Sequence, residues 1–185
     1  RWILNNKAGR GKRQAQNAPI QGAASEMVSD ALMLTQKGYR RAGMHSRVWG
    51  WVHDSIEADT KPGEVYAAYT IMKKAVEKDV LAEHPWCKVP LKGDFELGSR
   101  WGTPCGIESF EPVDGRTWRI EVEGKVPFVD ELVEFLRRGH VVHEVLDAEP
   151  ERDLPEEELL PKQAYVGDSG GDYSKKTEIT FSYGL

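Results

Sequence analysis

The dipeptide His53-Asp54 lies between two short runs of strand-forming residues, one with Val48, Trp49, Trp51 and Val52, the other with Ile56 and Ala58 alternating with charge. Such a pattern predicts two strands around a tight turn. A carboxylate projected from a tight hairpin is held in one place. That suits Mg2+, which demands close octahedral oxygen geometry and takes one or two protein carboxylates together with phosphate oxygens. Asp is also an ordinary turn former, and the dipeptide alone does not choose between these readings. Upstream, Arg13, Asn17 and Gln21 are spaced i, i+4, i+8, so an uninterrupted helix carries them on one face. Each can donate a hydrogen bond and has the reach to touch a base edge. Minor-groove acceptors, purine N3 and pyrimidine O2, occur on every base pair. Donors aimed there test pair geometry without reading sequence. A solvated helix face has the same spacing.

The elements that must position these residues follow from periodicity. Residues 1–16 contain Lys7, Arg10, Lys12 and Arg13 with Gly9 and Gly11 between them, which reads as a flexible strand-to-helix connection. From Ala18 to Lys37, Ile20, Ala23, Ala24, Met27, Val28, Ala31 and Leu32 recur at helical spacing, with Pro19 at a start or kink and Gly38 as the expected stop. A second helix is expected from Pro62 to Leu81, with Val65, Ala68, Tyr69, Met72 and Val76 facing inward, and a strand from Val89 to Leu97. Beyond Gly102 the character changes. Residues 117–124 alternate as a strand, and residues 127–138 form an amphipathic helix between Pro127 and Gly139 with an apolar stripe of Phe128, Leu132, Phe135 and Leu136. Residues 140–147 read as another strand, and strand–helix–strand is a minimal α/β layer. Residues 148–163 are acidic and Pro-punctuated, a linker composition. The tail 164–185 ends in a strand-like run, and its scattered aromatics Tyr165, Tyr173, Phe181 and Tyr183 are typical of a segment ordered only against a partner. The expected class is α/β (α+β), divided at 1–102, 103–163 and 164–185.

Charge divides the chain at the same place. Residues 1–102 carry 16 Lys/Arg against 11 Asp/Glu, a net +5, whereas residues 103–185 carry 9 against 19, a net −10. The first part can face nucleic acid; the second is repelled by phosphate and is better suited to protein. No apolar run approaches the roughly 18 residues of a membrane span. The two cysteines, Cys87 and Cys105, have no metal-ligand spacing and read as reduced thiols, which fits a cytoplasmic setting. His140 and His143 alternate on one strand without a third ligand nearby, so they do not read as a metal site.

The two chemistry-bearing features together resemble the final stretch of family A (polymerase I-like) DNA polymerases. That family carries an Arg-x-x-x-Asn-x-Pro-x-Gln-Gly helix, matched here at Arg13, Asn17, Pro19, Gln21 and Gly22, followed by the His-Asp hairpin called motif C, matched at His53 and Asp54. The helix of 62–81 and the segment 89–101 match more loosely, and the resemblance covers about residues 1–102. It implies that Asp54 is one of two catalytic carboxylates on a Mg2+ pair, that His53 positions the primer terminus, and that Arg13, Asn17 and Gln21 touch the template–primer minor groove. It also implies template–primer DNA and dNTP as ligands.

The sequence departs from that pattern in two ways. The family usually has Glu after His-Asp, and here it is Ser55; an auxiliary contact is thereby altered. The other carboxylate and the fingers segment, which precede this region in the family, have no match in these residues. The expectation is a partner chain carrying the upstream palm and fingers, in a split or cleaved enzyme; the first residue, Arg rather than Met, fits a fragment or a processed chain. Two alternatives stand beside this reading: a palm fragment of a single-subunit RNA polymerase, where His-Asp-Ser also occurs, and a DNA-binding remnant without catalysis.

Overall fold

A computed structural model describes residues 8–147 and 174–184. Lys7, the segment 148–163, Tyr165 and Tyr173 lie outside the described residues. The chain forms two compact units that divide between Gly93 and Asp94.

In the first unit a 34-residue helix, α1 (Ala8–Arg41), runs without interruption. The basic stretch near its start is therefore helical from Ala8 onward rather than a loose connection. Pro19 lies inside α1. It cannot supply the N–H that Ala15 O would accept, but Ala15 and Pro19 are both exposed, so the carbonyl is not buried without a partner. Only the C-terminal half of the expected apolar stripe is covered. Ala31, Thr35 and Tyr39 are buried at successive turns, but Ile20 is 71% exposed. Gly38 does not end the helix. A Cβ there would lie 2.4 Å from Ile71 Cγ2, so the glycine exists to let the following helix pass close by. The stop comes at Gly43, whose φ of 67° suits a left-handed cap. Met44 N donates to Tyr39 O (3.0 Å) and Gly43 N to Arg40 O (3.1 Å), the paired bonds of a Schellman cap.

Strands β1 (Arg47–Val52) and β2 (Ser55–Asp59) then form an antiparallel hairpin. A short 3-10 turn (Pro62–Glu64) leads into α2 (Val65–Lys74), a π-turn (Ala75–Asp79) and α3 (Val80–Glu83). The π-turn inserts one residue per turn and rotates the buried face. Ala75, at its start, is buried and the next buried residue is Val80, five further on, while Val76, expected to face inward, is half-buried. Tyr39 Oη donates to Ala68 O (3.3 Å), and burial, with Glu64 adding to it, pushes the Tyr39 phenol well above its ordinary range.

The second unit is one five-stranded antiparallel sheet with a helix on one face. Its strands are β3 (Glu96–Leu97), β4 (Cys105–Pro112), β5 (Thr117–Lys125), β6 (His140–Asp147) and β7 (Ser174–Tyr183), in the order β3-β4-β5-β7-β6. Helix α4 (Val126–Arg137) buries Val129, Leu132, Val133 and Leu136. Against it the sheet buries alternate residues, Trp118, Ile120 and Val122 from β5 and Thr177, Ile179 and Phe181 from β7. On the opposite face Arg119 and Glu178 pair at 3.2 Å, and Val141 and Leu146 of β6 are exposed.

Four expectations change here. Residues 89–95 form no strand, and pairing begins only at Glu96. The layer is larger than strand–helix–strand, because β4 and β7 join it. The described end of the tail is an inner strand: β7 pairs with β5 on one side and β6 on the other, and Phe181 is fully buried. Phe181 completes this unit's own core, while Tyr183 stays half exposed. The segment 94–102, expected to close the first part, belongs with the sheet: Ser99 Oγ (2.7 Å), Arg100 Nε (3.2 Å) and Arg100 Nη2 (3.0 Å) all bond the Glu131 carboxylate of α4.

Candidate active site

The site is built on the hairpin. Val52 pairs with Ser55, so the loop is the two residues His53 and Asp54. His53 has φ 57° and is the one non-glycine residue with positive φ among those described. A positive φ at the first of two loop residues matches the right-handed twist of the flanking strands, as in type II′ turns. Glycine is the usual occupant; histidine tolerates this region better than most residues but costs about 1 kcal/mol or more. His53, Asp54 and Ser55 are all exposed.

A lone two-stranded hairpin is marginal in water, and two devices hold this one. Midway, Gln36 Oε1 on α1 accepts from Val48 N (3.1 Å). At the base, Glu64 accepts from His45 N (2.9 Å), Ser46 N (2.7 Å) and the Ser46 hydroxyl (2.6 Å), while the His45 ring lies 3.3 Å away. Ser46 Oγ in turn accepts from Lys61 N (2.9 Å). Ser46 just precedes β1 and Lys61 follows β2, so one carboxylate clamps both legs of the hairpin. Burial raises the Glu64 carboxyl, but the His45 N–H, the Ser46 hydroxyl and the Ser46 N–H outweigh it and bring it down to about 2.

Asp54 has no ion pair or hydrogen bond among the described residues. An exposed, uncompensated carboxylate on a clamped turn fits a hard cation that prefers oxygen ligands. No group of three His, Cys, Asp or Glu comes together among the described residues. The hairpin therefore offers a ligand rather than a cage. Arg13, Asn17 and Gln21 are exposed on α1 as their spacing requires. Among the described residues no hydrogen bond or ion pair joins that row to the hairpin tip.

Sequence reasoning missed two features of the hairpin. Trp49 is a bulge: the register shifts between Val48 and Gly50, which puts Gly50 rather than a side chain opposite Glu57. Glu57 is the other. Ser55 Oγ lies 2.9 Å from Glu57 Oε1. The two-residue strand period from Ser55 to Glu57 was the available signal. His140 and His143 do not come together as ligands: His140 is buried against Phe181 (4.7 Å between ring centroids), and His143 Nε2 lies 2.7 Å from Ser182 Oγ. Burial lowers the His140 pKa, opposed by a bond to the Leu136 backbone. No helix among the described residues is long and apolar enough to cross a membrane.

A clamped hairpin presenting His-Asp, preceded by a long helix with a row of donors, defines a palm element of a nucleic-acid polymerase. The chain belongs to DNA polymerase family A, whose model matches residues 4–103. It is similar to the DNA polymerase of Bacillus phage SP01, 33% identical over 144 residues, 73% of this chain and 15% of the relative. It is also similar to DNA polymerase I of Chloroflexus aurantiacus (30% over 93 residues, 49% of this chain and 9% of the relative) and of Geobacillus stearothermophilus (27% over 90 residues, 49% and 10%). The chain thus spans between 9% and 15% of the length of these relatives. The phage match covers more of the chain than the family match can contain, so it continues into the second unit. No solved structure matches the chain.

Proposed function

We propose that this chain supplies the motif C portion of a template-directed DNA polymerase. Its active site is completed by upstream palm and fingers residues outside this sequence. The observation that supports the reading most is the His53-Asp54 tip in a member of family A. Asp54 is one carboxylate ligand, and the second comes from the upstream palm. Bound Mg2+ would activate the primer 3′-OH and stabilise the leaving pyrophosphate. The chain's own work is placement. The clamp at Glu64 and the Gln36 contact keep the tip fixed, which matters because a misplacement of about 1 Å costs roughly a hundredfold. The exposed His53 ring is a hydrogen-bonding group adjacent to Asp54, suited to the primer terminus. Arg13, Asn17 and Gln21 lie along the minor groove of the template–primer duplex, and the +5 charge of residues 1–102 favours phosphate. Family membership favours dNTP over rNTP as substrate. The reading places the enzyme in the cytoplasm of a bacterium or a phage-infected cell.

The test is divalent-metal-dependent incorporation on a primed template by the assembled enzyme, with dNTP and rNTP offered separately. Asp54→Ala should abolish incorporation while primed-template affinity is retained. Preferential use of rNTP, or full activity of Asp54→Ala, would defeat the reading.

A further inference from the structure

Asp54 is not the only uncompensated carboxylate on the hairpin. Asp59 is paired with Lys61 at 3.8 Å, but Glu57 has no cation among the described residues. Its one recorded partner is the Ser55 hydroxyl, 2.9 Å from Oε1. That hydroxyl also lies 2.9 Å from Val52 O and has one proton to give. The charged acceptor forms the stronger bond, so Ser55 tethers the carboxylate toward the turn. Across the ladder, Glu57 faces Gly50, and a Cβ on Gly50 would meet nothing within 4 Å. The carboxylate is thus drawn along the strand toward the tip and is not covered from the neighbouring strand.

The position it reaches is informative. In a glutamate placed directly after Asp54, Cγ would occupy the place of Ser55 Oγ. Its carboxylate oxygens would lie about 2.4 Å further on by standard bond lengths. Glu57 Oε1 lies 2.9 Å from that same atom. Ser55 thus holds a carboxylate oxygen 2.9 Å from the atom at which the longer side chain of a glutamate at position 55 would continue.

Resting on the polymerase reading above, we propose that Glu57, tethered by Ser55, is a positioning residue of the reaction: it supplies the auxiliary carboxylate beside Asp54 that the His-Asp-Ser turn lacks. It adds negative charge next to the metal-binding carboxylate and strengthens the tip's hold on divalent cations and their waters. The bulge at Trp49 serves this arrangement, since it sets glycine opposite the carboxylate.

The assembled polymerase on primed template provides the test, with two readouts: dNTP incorporation at saturating substrate and Mn2+ affinity by EPR titration. Glu57→Gln keeps an oxygen for the Ser55 hydroxyl but removes the charge. It should lower incorporation and Mn2+ affinity about tenfold each, as outer-shell substitutions do, with primer affinity unchanged. The double variant S55E/E57A should recover both to within about threefold of wild type, because the carboxylate returns from the other position. A purely structural role for Glu57 would not be rescued in this way. The proposal is overturned if Glu57→Gln stays within about twofold of wild type in both readouts, or if the double variant does no better than Glu57→Ala. Asp54→Ala, measured in parallel, separates the two claims. An active Asp54→Ala removes the polymerase reading and this proposal with it. An inactive Asp54→Ala beside a normal Glu57→Gln removes this proposal alone.

Discussion

The hairpin's rigidity depends on one carboxylate, and Glu64→Gln tests it. Glutamine keeps an oxygen for one or two of the donors from His45 and Ser46 but loses the charge that makes those bonds strong. A carboxyl held at about 2 instead of the ordinary 4.5 corresponds to about 3 kcal/mol favouring the charged form in the folded state. The Glu64 side chain is 22% exposed, and solvent screening brings the testable figure to about 2 kcal/mol. The sign follows from the direction. The folded carboxyl is harder to protonate than the unfolded one. The stabilisation is therefore complete above the ordinary glutamate range, begins to fall below about pH 5 and is lost as pH passes through about 2. Urea unfolding of the full chain, followed by NMR at residues of the first unit, is the assay. At pH 7 the midpoint of Glu64→Gln should lie about 2 M below wild type, taking a slope of roughly 1 kcal/mol/M for a unit of this size. At pH 3 the gap should shrink to less than half. A gap that is equal at the two pH values would refute the argument, because the loss would then come from packing or hydrogen-bond number rather than from the charge.

Asp54→Ala in the assembled enzyme should lower incorporation by about three decades or more, the loss expected for a metal ligand, with DNA affinity by filter binding within about threefold of wild type. Arg13→Ala and Gln21→Ala should slow extension, most from mispaired termini, and equally across template sequences, since the minor-groove acceptors are nearly common to all pairs; a sequence-dependent loss of binding would point to direct readout instead. Gly38→Ala should destabilise the first unit by about 1–3 kcal/mol in thermal unfolding. The new Cβ would meet Ile71 Cγ2 at 2.4 Å, and this overrides the roughly 1 kcal/mol that alanine gains in a free helix.

Local signals in the sequence carried the elements on which the candidate site residues stand. His53-Asp54 between two β-rich runs gave the hairpin and its two-residue loop, and the spacing of Arg13, Asn17 and Gln21 gave a helix face. Both depend on neighbours a few residues apart, which periodicity reads directly. The errors arose where a residue's role is set by something distant. Gly38 looked like a helix stop because glycine usually is one; its reason is Ile71, on another helix. After Ala75 the next buried position is Val80 and not one three or four residues on, because the π-turn at Ala75–Asp79 rotates the face. The place of residues 174–183 as an inner strand was hidden because its strand partners, β5 and β6, lie far upstream, and no pattern within those residues identifies them.

The same contrast bears on Ser55. Read along the chain, serine after His-Asp is a missing carboxylate. Read across the hairpin, it is one half of a pair. A serine hydroxyl is too short to reach a cation site itself, but it can hold a longer acid that starts two residues later on the same face of the strand. Such an arrangement needs a strand neighbour with no side chain to cover that acid, and the bulge at Trp49 puts Gly50 there. Position 55 can then change from acid to alcohol without the tip losing its second negative charge, provided that positions 50 and 57 remain glycine and glutamate. On this argument the three positions act together, and effects of substitution at 55 and 57 should be non-additive. In a wild-type background Ser55→Glu adds a carboxylate where one already sits, so it should gain little and crowd Glu57; with Glu57→Ala it should restore what was lost. That sign reversal separates a relocated carboxylate from a chance surface hydrogen bond.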